Sequence, residues 1–325
     1  MAAVERVVIM VQENHTTDNY FRGLAPYGAD VATDWPIAAN PPASDNPHDR
    51  HAYFEWLTGA STGAHVQFDT ASVLPYYLYL AVTGAFLEGH CAGFGTNSTA
   101  NHLLIVGGQS PTLKNPSSRS PAPLWDMPSL PGLAQAHNVA WRAYAASNDY
   151  PVGFYTELKG SPNIVPSAQF VTDAKAGRLP ALVMLWHNSP YDGHPRANVT
   201  EGMDRIWQSA DAKPGIDSRW CSHVSIPKTA MQLLGLPALG VPRLDDDPGL
   251  ADLVDPAQSP TAPPPTYVTP ITVPPAPSPP VAPKPPPPPP PGNPVPVPDV
   301  ILRNGSTLPP PNDAPLPQQP NPPSA

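Results

Sequence analysis

Three short clusters carry the residue types that chemistry needs. The first is Glu13-Asn14, at the end of the β-branched run VERVVIMVQ, residues 4–12. A carboxylate beside an amide oxygen suits a hard cation or zinc. The same pair also reads as a strand-end turn with a solvated acid. The second cluster is Thr96-Asn97-Ser98-Thr99, just ahead of an apolar helical stretch. A hydroxyl at a helix N-terminus lies beside free amides and the positive end of the dipole. That setting favours an alkoxide and binds anions such as phosphate. An ordinary Ser or Thr helix cap has the same pattern. The third cluster is His187 and His194, after the apolar run at residues 179–186. Such a pair can hydrogen-bond a phosphoryl oxygen or protonate a leaving group, although either alone would be a plain loop residue. His48 and His51 are weaker candidates, and Asp245-Asp246-Asp247 reads as a solvated acidic turn.

The elements around these clusters define their setting. Residues 4–12 show little alternation, which fits a strand covered on both faces, as in a parallel sheet. Further strands are expected at 85–91, 139–145 and 179–186, and helices at 73–81, from Ser98 or Thr99 to 106, 130–137, 170–177, 199–209 and 226–236. Ser225 is the expected N-cap of the last, with Pro227 in its first turn. Residues 30–63 read as a long excursion over the sheet edge, and 107–131 as loop. Strands separated by helices predict an α/β fold with a mainly parallel sheet. Polar residues at the carboxyl ends of its strands are where such sheets put their chemistry. No strand is legible between His187 and Ser225.

Composition separates a body from a tail. Of 53 prolines in 325 residues, 30 fall in residues 256–325. Proline lacks the amide donor, and this stretch has few large apolar side chains, so a disordered tail is expected there. Residues 1–255 are left as the folding unit. Pro285–291 is an unbroken proline run that would form a stiff polyproline II rod. The net charge of −9, without any basic run, argues against a nucleic-acid partner. No apolar run of about 18 residues predicts a transmembrane segment, and the N-terminus shows no export signal. Cys91 and Cys221 are read as unpaired.

Taken in order, the motifs resemble a known family. Glu13-Asn14-His15-Thr16-Thr17-Asp18-Asn19-Tyr20-Phe21 is similar to the opening signature of the bacterial phosphoesterases, which include phosphatidylcholine-type phospholipases C and acid phosphatases. Gly95-Thr96-Asn97-Ser98-Thr99-Ala100-Asn101-His102-Leu103 resembles their nucleophile loop, and Tyr191-Asp192-Gly193-His194-Pro195 their Glu-His-Pro loop. The stretch from Lys213 through Ser222-His223-Val224-Ser225 to Leu236 resembles their closing segment. The resemblance covers about residues 4–250. It implies an alkaline-phosphatase-like α/β/α sandwich and metal-dependent cleavage of phosphate mono- or diesters, phospholipids included. By position it makes Glu13 and Asn14 ligands of a divalent metal ion and Ser98, three residues before Asn101, the nucleophile. Thr96 and Thr99 are less well placed. His194, and with it His187, would contact the phosphate or protonate the leaving alkoxide, with Asn101 also at the substrate. Relatives of this kind are often exported or held in the cell envelope.

The sequence departs from the family pattern at one place. Family members continue after the helix near Trp207 into a buried strand ending in an aspartate pair that completes the metal site, and then a further strand. Here Gln208-Ser209-Ala210-Asp211-Ala212 runs directly into Lys213-Pro214-Gly215. The aspartate pair and both late strands are expected to be missing, through an internal deletion near 212/213. Two ligands rarely hold a catalytic divalent ion, so impaired activity is expected. The alternative expectation is an inactive remnant that binds partners, or spans an envelope, through its proline-rich tail.

Overall fold

The computed structural model describes residues 4–42, 46–57, 65–117, 124–206, 215–217, 219–254 and 298–309. Its strands are β1 (Val7–Val11), β2 (Ala85–Leu87), β3 (His90–Cys91), β4 (Trp141–Ala145), β5 (Ile164–Pro166), β6 (Leu182–Trp186), β7 (Gly215–Asp217), β8 (Cys221–Ser222), β9 (Val300–Ile301) and β10 (Thr307–Leu308). The helices are α1 (Thr17–Tyr20), α2 (Arg50–Leu57), α3 (Thr70–Val73), α4 (Pro75–Thr83), α5 (Ser98–Gly107), α6 (Leu130–Ala136), α7 (Gln169–Lys175), α8 (Val199–Ile206), α9 (Ser225–Leu234) and α10 (Pro242–Asp245).

The central sheet is parallel throughout, in the order β1-β6-β4-β5. The fold is therefore α/β with a mainly parallel sheet. β6 lies inside it and every one of its residues is buried, because both faces of the sheet are covered. Leu182, Met184 and Trp186 join Leu103, Leu104, Leu130, Ala134, Ala230 and Met231 in the main core, packed by α5, α6 and α9. Val183 and Leu185 join Tyr144 and Phe170 in a second cluster under α7. This explains why LVMLW shows no polar alternation. A continuous apolar run is what a strand between two helical layers requires.

Three expectations need correction and one is refined. β1 is an edge strand among the described residues, and only Ile9 in it is buried. Both of its faces are covered, as expected: Val7, Ile9 and Val11 pack in the main core, and Val8 and Met10 against the second cluster. The expected strand at 85–91 is two short strands outside the central sheet, β2 pairing with β7 and β3 with β8. β7 and β8 occupy the segment that showed no legible strand, being too short to leave a period in the sequence. Ser225 is the first residue of α9, and Val224 is the N-cap. The Ser225 hydroxyl instead accepts from the Ser222 amide and donates to Asp247.

Within the proline-rich stretch, residues 298–309 form a docked hairpin. β9 and β10 pair antiparallel, and Val300 is buried in the main core. Gln109 bonds both the amide and the carbonyl of Ile301, each at 2.8 Å. The expected junction at Ala212–Lys213 and the run Pro285–291 lie outside the described residues.

Candidate active site

The register of the sheet assembles the site. Val11 pairs with Trp186, so Glu13 emerges level with Asn188, beyond the carboxyl end of β6. The Glu13 amide donates to the Asp192 carbonyl at 2.9 Å, and Gln12 Nε2 donates to the Tyr191 carbonyl at 3.1 Å. These bonds tie the end of β1 to the 191–195 loop. Gly193 sits in that loop at φ 77°, and a Cβ there would lie 2.7 Å from Gln12 Oε1. The backbone angle favours glycine there.

Glu13 meets Ser98. The Ser98 hydroxyl lies beside the Glu13 carboxylate and helps to hold it ionised, and His102 Nε2 lies 3.1 Å from Glu13 Oε2. Burial pushes the Glu13 carboxyl up. The His102 hydrogen bond and charge outweigh it, helped by His194 and Ser98, and the carboxyl ends below its ordinary range. Ser98 and His102 are four residues apart on α5, so the helix presents both on one face.

The other hydroxyls of the cluster point elsewhere. Thr96 Oγ1 donates to the Leu113 carbonyl, and Thr99 Oγ1 lies 3.4 Å from the Tyr150 hydroxyl. α5 begins at Ser98, so its first amides lack intrahelical carbonyls. That of Thr99 donates to Asn115 Oδ1. Asn101 is spent on the loop itself. Its amide oxygen accepts from Phe94 N, and its nitrogen donates to the carbonyls of Phe94, Thr96 and Asn97. Its geometry is that of a positioning residue.

Asn14 takes a left-handed backbone, φ 69°, which asparagine tolerates. Its amide nitrogen lies 3.4 Å from His194 Nε2 and 3.3 Å from His48 Nδ1. The His194 amide donates to Asp192 Oδ1. Glu13, Asn14, Ser98 and His194 therefore converge, and His48 joins them from the early excursion. His187 is buried along a cleft that reaches Glu13 from the other side.

A divalent ion does not find a complete ligand set here. The Glu13 carboxylate already engages His102 and Ser98, and Asn14 faces two imidazoles. Among the described residues, no group of three His, Cys, Asp or Glu side chains is placed to hold a metal ion. The donors present fall short of the four or more that such ions take.

Sequence reasoning passed over His102 and Arg243. The spacing of Ser98 and His102 was the available signal for the first. Arg243 had none. It reaches the site from 150 residues away, donating from Nη2 to the Gly93 carbonyl at 2.7 Å, and its guanidinium carbon lies 4.5 Å from the Phe94 ring centroid.

The model of the Phosphoesterase family matches residues 43–213. This is more than half of the chain, and the chain belongs to that family, whose general chemistry is the hydrolysis of phosphate esters. The match begins after Glu13-Asn14 and ends at Lys213, beside the expected junction. A search of curated proteins finds no match. No helix among the described residues is long and apolar enough to cross a membrane.

Proposed function

We propose that this chain hydrolyses phosphate mono- or diesters through Ser98, at a rate limited by an incomplete metal site. The observation that carries the reading is the placing of the Ser98 hydroxyl, at the start of α5, beside the Glu13 carboxylate. In the proposed reaction, the first-turn amides of α5 that Asn115 does not take hold the non-bridging phosphoryl oxygens. Ser98 Oγ attacks phosphorus in line and its proton passes to Glu13. The bond to the alcohol breaks, and His194 supplies a proton to the departing alkoxide. Water then attacks the phosphoserine and frees Ser98.

Glu13, held below the ordinary carboxylate range by His102, is a weak base, and turnover through it alone is slow. Glu13 and Asn14 are the positions where the family resemblance would place a metal ion, and they supply too few donors to complete its shell. Loss of an aspartate pair near 212/213 accounts for that shortfall.

The test is turnover of 4-nitrophenyl phosphate and its diester by the purified chain, with bound metal measured on the same sample. Slow turnover that vanishes in Ser98→Ala, without stoichiometric metal, is expected. Tight stoichiometric metal with rapid turnover sinks the impairment. Turnover that survives Ser98→Ala sinks the nucleophile. No turnover at all leaves a binding protein, with the proline-rich stretch as its working element.

A further inference from the structure

Beside Glu13 lies a cleft of about 230 Å³, bounded by the carboxyl ends of β1, β6 and β4. Its floor is buried: His102, Tyr150, Trp186 and His187. Its rim is exposed and neutral: Ser147, Asn188 and Ser189. The rim is also preordered. The Ser147 amide and hydroxyl both donate to Asn188 Oδ1, at 2.8 and 2.9 Å. That bond fixes the Asn188 side chain and leaves its amide hydrogens for another acceptor.

The charges lining the cleft restrict what enters it. Two carboxylates, Glu13 and Asp192, border it, and no lysine or arginine among the described residues does. A second anionic group on the substrate would meet repulsion without compensation. The volume is below the several hundred Å³ of a drug-sized site, so long acyl chains would stay outside. Neutral donors and acceptors at the mouth, above an aromatic floor, match a compact molecule with several hydroxyls.

We propose that this cleft receives the alcohol portion of the phosphate ester, and that the alcohol is a small polyol without a negative charge. Asn188, held by Ser147, is its specificity-determining residue. The inference rests on the proposed phosphoesterase activity, because the cleft opens beside the residue that holds the nucleophile.

Two measurements on the full chain test it. In the first, kcat/KM is compared for glycerol 1-phosphate, 3-phosphoglycerate and 4-nitrophenyl phosphate. Glycerol 1-phosphate is expected to be preferred to 3-phosphoglycerate, whose alcohol portion carries a carboxylate. In Asn188→Ala, its kcat/KM relative to that of the aryl ester should fall about tenfold, the effect of one lost hydrogen bond. A preference for 3-phosphoglycerate, or an unchanged ratio in the variant, overturns the proposal. In the second, binding of glycerol 1-phosphate to Ser98→Ala protein is followed by saturation-transfer NMR, with and without Asn188→Ala. This needs no turnover, so it separates the two readings. Weaker binding in the double variant supports the cleft even if no ester is hydrolysed, and equal binding overturns it even if Ser98 proves to be the nucleophile.

Discussion

A single imidazole sets the state of the carboxylate at the centre of this site. His102 is buried, and it is the largest stabilising influence on the Glu13 anion. Replacing it with leucine leaves a mostly buried carboxylate without its nearest hydrogen-bond partner. The expected cost is about 1–3 kcal/mol, read as a lower denaturant midpoint at neutral pH. In the same variant the Glu13 carboxyl should rise, because burial is then opposed only by His194 and Ser98. Carboxyl titration by NMR measures that directly. A midpoint and a titration both unchanged from the parent chain would mean that Glu13 is held by other groups.

Between residue and fold stands the loop that delivers Ser98, and two distant elements clasp it. Arg243 at α10 takes the Gly93 carbonyl, while the Gly93 amide donates to His223 Nδ1 at 3.2 Å. Burial, with His90 and His102 nearby, pushes His223 down to about 3, so the ring is neutral and can accept. Asn101 fixes the next residues from α5, and Tyr53 of α2 covers Gly95 so closely that a Cβ there would lie 2.2 Å from its ring. Arg243→Gln removes a charged hydrogen bond and a ring contact, so ester turnover should fall by about ten- to a hundredfold. Hydrogen exchange at Gly93 and Phe94 should quicken in parallel. Turnover lost without quicker exchange would place Arg243 at the substrate instead.

A second junction joins β4 to α7. Asp173, with its side chain only 2% exposed, accepts from Arg142, Tyr144, Gln169 and Arg178. The Arg178 bond is the largest influence, and the carboxyl is held down to about 2. Its folded value lies below its ordinary one. The stability it contributes is therefore fully present above pH about 4 and fades as pH falls toward 2. Acid unfolding followed between pH 5 and 2 should be shallower in Asp173→Asn than in the parent chain, and parallel curves would contradict this.

At the scale of the whole molecule, the C-terminal hairpin belongs to the fold. Val300 lies in the main core, Gln109 holds both polar groups of Ile301, and Arg303 pairs with Asp126 and Glu157. Glu157 is pushed up by burial, a tendency that Ser129 and Arg303 oppose. Truncation after residue 254 exposes the Val300 pocket and removes these partners. A loss of about 2–4 kcal/mol is expected, chiefly from one buried aliphatic side chain and the orphaned Gln109. Thermal unfolding of residues 1–254 beside the full chain reads it, and an equal Tm would show that the hairpin adds nothing.

Sequence alone determined the α/β class, the approximate position of most helices and the fully buried β6, because hydrophobic period and length are local properties of the chain. It also marked Glu13, Asn14, Ser98 and His194 as chemistry-bearing, since each stands at an element boundary where the pattern breaks. Only the tertiary structure decided which of them meet. Strand order made β1 an edge and aligned Glu13 with the cleft, and helix phase turned Ser98, rather than Thr99, toward Glu13. Long-range hydrogen bonds, from Arg243 to Gly93 and from Gln109 to Ile301, brought in segments whose local composition carries no trace of the contact. Local propensity sets what a segment can become; the partner across 150 residues is chosen by packing, and packing is not written in any window of sequence.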